Sequence, residues 1–442
     1  MELRTFKGGI HPPHSKSFTE AKPVEKAEEP KIVNIPLQQH IGAPCQPVVE
    51  VGDNVKVGQV IGNTEAFVSA PIHSSVSGEV KGIKQMLTPT GQAVCITIES
   101  DGKGEIHESV QPKPDIETLS KEEIIKVIRE AGITGMGGAS FPTHVKLSPP
   151  PDKEIDTVIL NGAECEPYLT ADDRLMLENP GQVVYGLKAI MKAVEVKQGY
   201  IGIESNKPDA IKSMQEAVKD EPGIEVVPLQ VKYPQGAEKQ LIYACTKREV
   251  PSGKLPMEVK VVVNNVGTAA AIGEAFQTGM PLVERITSVT GSAVKEQKNL
   301  RIKIGTSFKE IIEQCGGYNG EVGKLIMGGP MMGLAQFTDE IPCVKGTSGI
   351  LVLSEEDARL PEPVNCIRCA KCVSICPIGL MPVYLSAYAL KDMYENAEQI
   401  NALDCIECGS CSFVCPSKRP LLETIRAAKS EINARKRKQQ QK

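Results

Sequence analysis

Between residues 31 and 105 apolar and polar positions alternate over short runs. The clearest are Val51-Gly-Asp-Asn-Val-Lys-Val-Gly-Gln-Val-Ile-Gly62 and Ala70-Pro-Ile-His-Ser-Ser-Val-Ser-Gly-Glu-Val80. Alternation bounded by Gly, Asp and Asn predicts strands and hairpins, because a half-buried strand turns every second side chain inward. Near residue 115 the period changes. Ser120-Lys-Glu-Glu123 reads as a capping box, and Ile124, Val127, Ile128 and Ala131 share one face of a helix that Gly132 ends. Apolar runs at 156–160, 199–203, 225–229 and 259–263 predict strands, with helices near 181–195, 208–219 and 235–246 between them. Such alternation predicts an α/β sheet with partly parallel strands. Residues 286–335 return to strands (301–304 among them) and one helix near 307–315, closed by Gly316-Gly317 and followed by Gly328-Gly-Pro-Met-Met-Gly333. Pro361 and Pro363 mark a linker over 354–364.

Composition narrows the classes. With 442 residues the chain buries several cores, and a 41% hydrophobic fraction sets it apart from disordered sequences. No run approaches the ~20 apolar residues of a membrane-crossing helix, and Met1–Lys7 carries no apolar export signal. A net charge of −5 and only 9 Tyr, 8 Phe and 0 Trp argue against nucleic acid as a partner. Residues 426–442 hold seven Lys/Arg and one Glu, net +6, so the remaining residues total −11. A basic helical tail attracts an anionic membrane or an acidic partner; the simpler expectation is a solvated terminal helix. Residues 1–30 read as an arm, in which His11 and His14 flank two prolines and fit a turn better than a metal site.

Cysteine is the anomaly. Of 14 cysteines, eight lie in two runs, Cys366-x2-Cys369-x2-Cys372-x3-Cys376-Pro and Cys405-x2-Cys408-x2-Cys411-x3-Cys415-Pro. This is the bacterial ferredoxin spacing for [4Fe–4S] clusters, in which the fourth cysteine of each run ligates the other cluster. Cluster 1 is therefore expected on Cys366, Cys369, Cys372 and Cys415, and cluster 2 on Cys376, Cys405, Cys408 and Cys411. Zinc ribbons use two cysteines per knuckle rather than three plus Cys-Pro, and disulfides need an oxidising compartment. Cys45, Cys95, Cys245, Cys315 and Cys343 read as small buried hydrophobes.

Three loops in the α/β region are candidates for a nucleotide. Gly135-Met-Gly137-Gly138-Ala-Ser-Phe141-Pro, followed by Lys146, lets backbone N–H groups approach a phosphate or a flat ring, although its spacing is neither Walker A nor the dinucleotide fingerprint. Asn161-Gly-Ala-Glu164-Cys165-Glu166-Pro167 and Asn264-Asn265-Val-Gly-Thr268 each follow a predicted strand, at the end where open α/β sheets bind ligands. Two amides there suit the edge of a flavin ring.

These loops resemble the NADH-oxidising flavoprotein subunit of respiratory complex I, which reads G-R-G-G-A-G-F-P, N-A-D-E-S-E-P and N-N-V-E-T. Gly236-Ala-Glu238-Lys-Gln-Leu resembles that family's G-E-E-T-A-L. Departures fall at Met136, Ser140, Ala163 (where the family has Asp), Cys165, Ala237 and Gly267. The resemblance implies FMN stacked on an NAD(H) site, with Phe141, Lys146 and Glu166 near the dinucleotide and Glu164 and Glu238 near flavin or ribose. Residues 31–105 are similar to lipoyl/biotinyl barrel-sandwich modules, but the matching hairpin tip, Asn63-Thr-Glu-Ala-Phe67, has no lysine to carry a cofactor. The order of parts, from Gly8-Gly-Ile-His-Pro-Pro13 through Tyr233-Pro-Gln-Gly236 to the doubled cysteine runs, resembles the RnfC family of the Rnf complexes.

That resemblance implies a multi-domain α/β plus β chain. Its expected parts are an N-terminal arm (1–30), a barrel-sandwich module (31–105), a Rossmann-like FMN/NADH-binding domain (106–285), a β-grasp, soluble-ligand-binding module (286–353), an α-helical double [4Fe–4S] ferredoxin module (354–425) and a basic tail (426–442). It also implies a peripheral subunit on the cytoplasmic face of a membrane, partnered by the other Rnf subunits and indirectly by ferredoxin. There it relays electrons between NAD(H), FMN and two clusters, while the complex translocates Na+ or H+. Two other readings stand beside it: a soluble cobalamin reductase built of the same modules, and an iron–sulfur wiring subunit whose flavin loops are vestigial.

Overall fold

The computed structural model describes residues 3–440. The first module is a β-sandwich. Ile32–Pro36, Gly91–Ser100, Gly78–Thr88 and Asn54–Val55 form one sheet, in that order, and Gln46–Pro47, Val60–Asn63 and Ile72–His73 form a second. Val33, Ile35, Ile61, Ile72, Val80, Ile96 and Ile98 fill the space between them, as half-buried strands require. The lysine-free tip is closed onto the next module. Arg129 donates to the Thr64 carbonyl at 3.4 Å, a His144 ring nitrogen lies 2.9 Å from the Phe67 carbonyl, and the two rings meet edge-on.

The central domain holds four parallel strands, β1 (Thr157–Gly162), β2 (Gln198–Glu204), β3 (Ile224–Leu229) and β4 (Val261–Asn265), in the order β3-β2-β1-β4. Val158 and Leu160 of β1 face one core and Ile159 faces the other, so both faces are covered, as an all-parallel sheet requires. The helices that frame the sites are α1 (Lys121–Glu130), α2 (Thr143–Lys146), α3 (Ala171–Glu178), α4 (Pro180–Ala193), α5 (Pro208–Ala217), α6 (Glu238–Thr246), α7 (Val266–Gln277) and, in the last module, α8 (Leu421–Gln440). The Ser120–Glu123 capping box forms on α1 as expected. The last predicted strand starts two residues late, because 256–259 is a 3-10 turn that ends on Lys260 in the left-handed region. Three helices, α2, α3 and α7, answer to no predicted element. Asn264–Thr268 is accordingly not a loop: Asn265 caps α7, its Oδ1 accepting from Gly267 N at 2.8 Å, and Thr268 lies on the helix.

The third module is a mixed sheet in the order Val24–Lys26, Lys298–Lys303, Glu284–Thr290, Gly349–Ser354, Val322–Met327, Leu334–Gln336, with the helix Phe308–Glu313 closed by Gly316 and Gly317. Its first strand comes from the N-terminal arm. That arm is bound along its length: Arg4 bridges to Leu229, Ile10 pairs with Tyr233, and Phe6, Ile10 and Lys16 are buried.

In the last module short helices, Lys371–Ser374 and Ser410–Phe413, follow the two cysteine loops, and α8 packs on Pro382–Ala389 and Tyr394–Gln399. The expected break at 425/426 falls inside α8. Ile425, Ala428 and Ile432 are buried, and beyond them Lys436 pairs with Glu398 at 2.6 Å while Arg435 pairs with Glu395 and Glu431. Part of the basic tail is therefore tied to the module rather than free.

Candidate flavin and iron–sulfur sites

The glycine loop is closed at its base by Gly135 N donating to the Phe141 carbonyl at 2.8 Å. It is fastened to α7 by Met136 N donating to Thr268 Oγ1 at 2.9 Å. Gly137 sits at φ +77, where a Cβ would stand 3.0 Å from Asn265 Nδ2; at Gly138 a Cβ would meet open space. The loop thus keeps its open side at Gly138, above the carboxyl ends of β1 and β4. Lys146 reaches the same end, its Nζ donating to Glu238 Oε1 at 2.9 Å and to the Val263 carbonyl at 2.7 Å. Both side chains of this pair remain half exposed.

The acidic loop divides differently from expectation. Glu164, at φ 45, caps α3 by accepting from Asp172 N and Asp173 N. Glu166 is turned toward the third module and accepts from Met331 N at 3.0 Å and Met332 N at 2.9 Å. Burial pushes its carboxyl up, and these donors pull against that. Burial, then Glu164, pushes Asp172 and Asp173 up to about 6. Asn161 is engaged with the Gly236 carbonyl through Nδ2 and with Ala163 N through Oδ1, while Asn265 Nδ2 donates to Asp172. The structure therefore brings Gly135, Gly137, Gly138, Phe141, Lys146, Glu238 and Asn264 to one sheet edge. It commits Asn161, Glu164, Glu166, Asn265 and Thr268 to holding that edge in shape, and Gly236 supplies a carbonyl to Asn161.

Several polar groups there lack partners among the described residues: Asn264 Nδ2, both amide atoms of Gln235, and the hydroxyls of Thr134 and Thr143 beside the glycine loop. A buried polar group left unpaired costs about 1–3 kcal/mol. Their concentration at the carboxyl end of the sheet fits a flavin, which offers donors and acceptors along one ring edge. Ala163, fully buried, presents no polar group to it. Sequence alone does not mark Gln235 and Tyr233 as site residues; the Tyr233-Pro-Gln-Gly236 spacing is visible there, but not that a buried amide is left unpaired within it.

Cys376, Cys405, Cys408 and Cys411 border one apolar cavity, walled by Ile375, Leu380, Leu385, Ile406 and Ile425. Burial pushes the Cys405 and Cys411 thiols up to about 11 and about 12, so without metal they are neutral, and a bound cluster would deprotonate them. On the other side, burial raises the Cys372 thiol, and Cys415 and Cys366 are among the groups near it. Cys366 and Cys369 are exposed. No three His, Cys, Asp or Glu side chains among the described residues converge as a single metal ion needs; four of the cysteines instead share the lining of one cavity. Of the remaining cysteines, Cys45, Cys95, Cys245, Cys315 and Cys343 are buried, and Cys165 is half-buried, its Sγ accepting from Gly236 N at 3.3 Å.

Family models match this division: the RnfC barrel sandwich hybrid domain over residues 4–103, the Nuo51 FMN-binding domain over 128–274, the SLBB domain over 286–335 and a 4Fe-4S dicluster domain over 358–416. The RnfC protein of the Na(+)-translocating ferredoxin:NAD(+) oxidoreductase complex of Acetobacterium woodii is 52% identical over 435 residues, 98% of each chain. The chain belongs to the RnfC family. The counterpart from the proton-translocating complex of Clostridium ljungdahlii is likewise 52% identical, over 98% of this chain and 95% of that one. The counterpart from the ion-translocating oxidoreductase complex of Rhodobacter capsulatus is 40% identical over 100% and 86%. Among solved structures, an NAD+-reducing [NiFe]-hydrogenase in the air-oxidized state aligns with a TM-score of 0.49 at 17% identity, over 64% of this chain and 55% of that one. An FMN-binding and a 4Fe-4S dicluster domain thus occur in one chain of the RnfC family.

Proposed function

We propose that this chain is the subunit of an ion-translocating ferredoxin:NAD+ oxidoreductase at which NAD(H) meets the electron chain. FMN, when bound, trades hydride with nicotinamide and single electrons with iron–sulfur clusters. The chain's own contribution is position. Gly135–Phe141 presents backbone N–H groups, Lys146 presents a cation steadied by Glu238, and Asn264 presents a buried amide. The cysteine ring of cluster 2 lies against the flavin domain and the arm, since Tyr233 Oη donates to the Cys408 carbonyl at 2.9 Å and Gln240 Nε2 to Pro377 O at 3.2 Å, and Gly9 N of the arm donates to Ile375 O at 2.7 Å. Cys366 and Cys369 face outward. This order, flavin domain, buried ring, exposed ring, is the observation that carries the reading: electrons enter at the nicotinamide and leave toward partner subunits, or run the reverse course.

Among the described residues no helix is long and apolar enough to cross a membrane. We place the chain peripherally on the cytoplasmic face, held by partner subunits. The purified chain should carry FMN and about eight irons, four per cube, and NADH should bleach the flavin. About two irons with zinc present defeats the cluster assignment. Full iron with no extractable FMN favours a wiring subunit. Asn264→Ala should weaken FMN binding about fivefold to tenfold, the worth of one hydrogen bond, with iron unchanged.

A further inference from the structure

Tyr233 stands where three modules meet. Its ring is almost fully buried with Ile10 of the arm and Cys408 of the last module. Its hydroxyl is 2.9 Å from the Cys408 carbonyl and 3.3 Å from Glu166 Oε1. Glu166 in turn takes Met331 N on Oε2 and Met332 N on Oε1. Both backbone contacts to this carboxylate come from N–H donors, as an ionised carboxylate accepts them, while the single Tyr233 proton goes to the nearer Cys408 carbonyl. The approach is close by construction: a Cβ on Gly329 would lie 2.2 Å from Glu166 Oε2, so a side chain there would expel the carboxylate. The Met331 carbonyl, on the same turn, faces Gly409, the residue after Cys408.

We propose that Tyr233 is a positioning residue that links Glu166 of the flavin domain to the Cys408 loop and thereby sets the reduction potential of cluster 2. The inference rests on the functional reading above. Hydrogen bonds and nearby charge are among the levers that set cluster potentials. The O–H dipole aimed at the Cys408 carbonyl favours the extra negative charge of the reduced cluster. The Glu166 carboxylate opposes that charge. The hydroxyl shared between them screens one from the other. Cluster 1, whose loop is exposed on the far side, has no counterpart of either group among the described residues.

The test is a redox titration of the iron-loaded full chain followed by electron paramagnetic resonance, with the cluster 2 wave identified as the one that Cys405→Ser removes. Tyr233→Phe keeps the ring and deletes the dipole; the cluster 2 wave should move to more negative potential. Glu166→Gln deletes the charge and should move it the opposite way. The cluster 1 wave should stay in place in both. A merely structural role changes iron content or melting, but does not give shifts of opposite sign confined to one wave. Retained iron with an unmoved cluster 2 wave in Tyr233→Phe overturns the proposal, as do shifts of the same sign in both variants. Wild-type protein without eight irons or FMN fails the functional reading instead, so the two failures are told apart before any variant is made.

Discussion

The two cysteine loops are nearly the same backbone in two different settings. Arg368 and Glu407 occupy equivalent positions, both at φ 58, and Ala370 and Gly409 follow at φ 57 and 75. Ile367, in the first loop, is 66% exposed; its counterpart Ile406 packs among Ile10, Tyr233 and Cys408. The first loop has solvent on its outer side. The second is covered by the arm, the flavin domain and α8, whose Lys429 donates to the Cys405 carbonyl at 2.6 Å. Spacing marks the three cysteines of each run that would share a cube, since they lie in one local loop, and the fourth is expected from the other run. Which loop packs against the flavin domain and which stays open is decided by residues far away in the sequence, such as Ile10 and Tyr233.

The largest expected effect breaks or keeps the crossed pairing itself. Cys415→Ser changes the second run but should empty cluster 1. Cys376→Ser changes the first run but should empty cluster 2. Each should lower iron from about eight to about four, and spectra of the surviving cluster should identify it. The two losses should also differ in stability. The cluster 2 ring borders Leu380, Leu385 and Ile425 of the module's core, so Cys376→Ser should lower the melting temperature further than Cys415→Ser. Loss of cluster 2 from Cys415→Ser would refute the crossing.

A smaller effect tests how far the loops have diverged. A non-glycine residue in the left-handed region costs roughly 1–2 kcal/mol, and Ala370 already bears that cost in the open. Ala370→Gly should be neutral or stabilising by up to about 1 kcal/mol. Gly409→Ala should destabilise by more than the backbone term alone, because a Cβ there meets the Met331 carbonyl at 3.1 Å. Chemical unfolding of iron-loaded protein reads both changes; equal effects at the two positions would mean that the covering modules do not press on the second loop.

Legibility follows the same divide. The cysteine runs, the capping box of α1 and the parallel strands rest on patterns a few residues long, so they can be read directly. The sheet edge reads as three loops, yet one of the three is a helix start. Asn265-Val-Gly satisfies a cap as well as a turn, and small residues such as Ala269, Ala270 and Ala275 give α7 no polar face to mark it. Glu164 and Glu166 look like ligand-facing acids, and their partners, the α3 amides and the Met331–Met332 turn, lie outside any local window. The arm looks loose because its charges and prolines hide that Lys16 Nζ ends on the carbonyls of Glu164 and Glu166, at 2.9 and 3.0 Å. Its attachments are long-range and have no local signature.

The smallest effect concerns charge. Glu407 sits between Arg426 at 3.0 Å and Lys429 at 2.6 Å on α8; Arg368, its counterpart, makes no ion pair among the described residues. Burial raises the Glu407 carboxyl, but Lys429 and then Arg426 outweigh it and hold the group below its ordinary value of 4.5. A carboxyl lowered on folding binds fewer protons in the native state than in the unfolded one. Its stabilisation is therefore complete above the unfolded value and fades as pH falls through the folded one. For a partly exposed pair that stabilisation is about 0.5 kcal/mol. Glu407→Gln should therefore release cluster 2 about twofold faster than wild type at every pH from 8 down to about 5. The difference should shrink below 4.5, read as bleaching of the cluster absorbance. Arg368→Gln should leave the release of cluster 1 unchanged across the same range. If the Glu407 difference grows as pH falls, α8 is not held to the second loop by these charges, and its hydrogen bond to Cys405 and its apolar face must hold it instead.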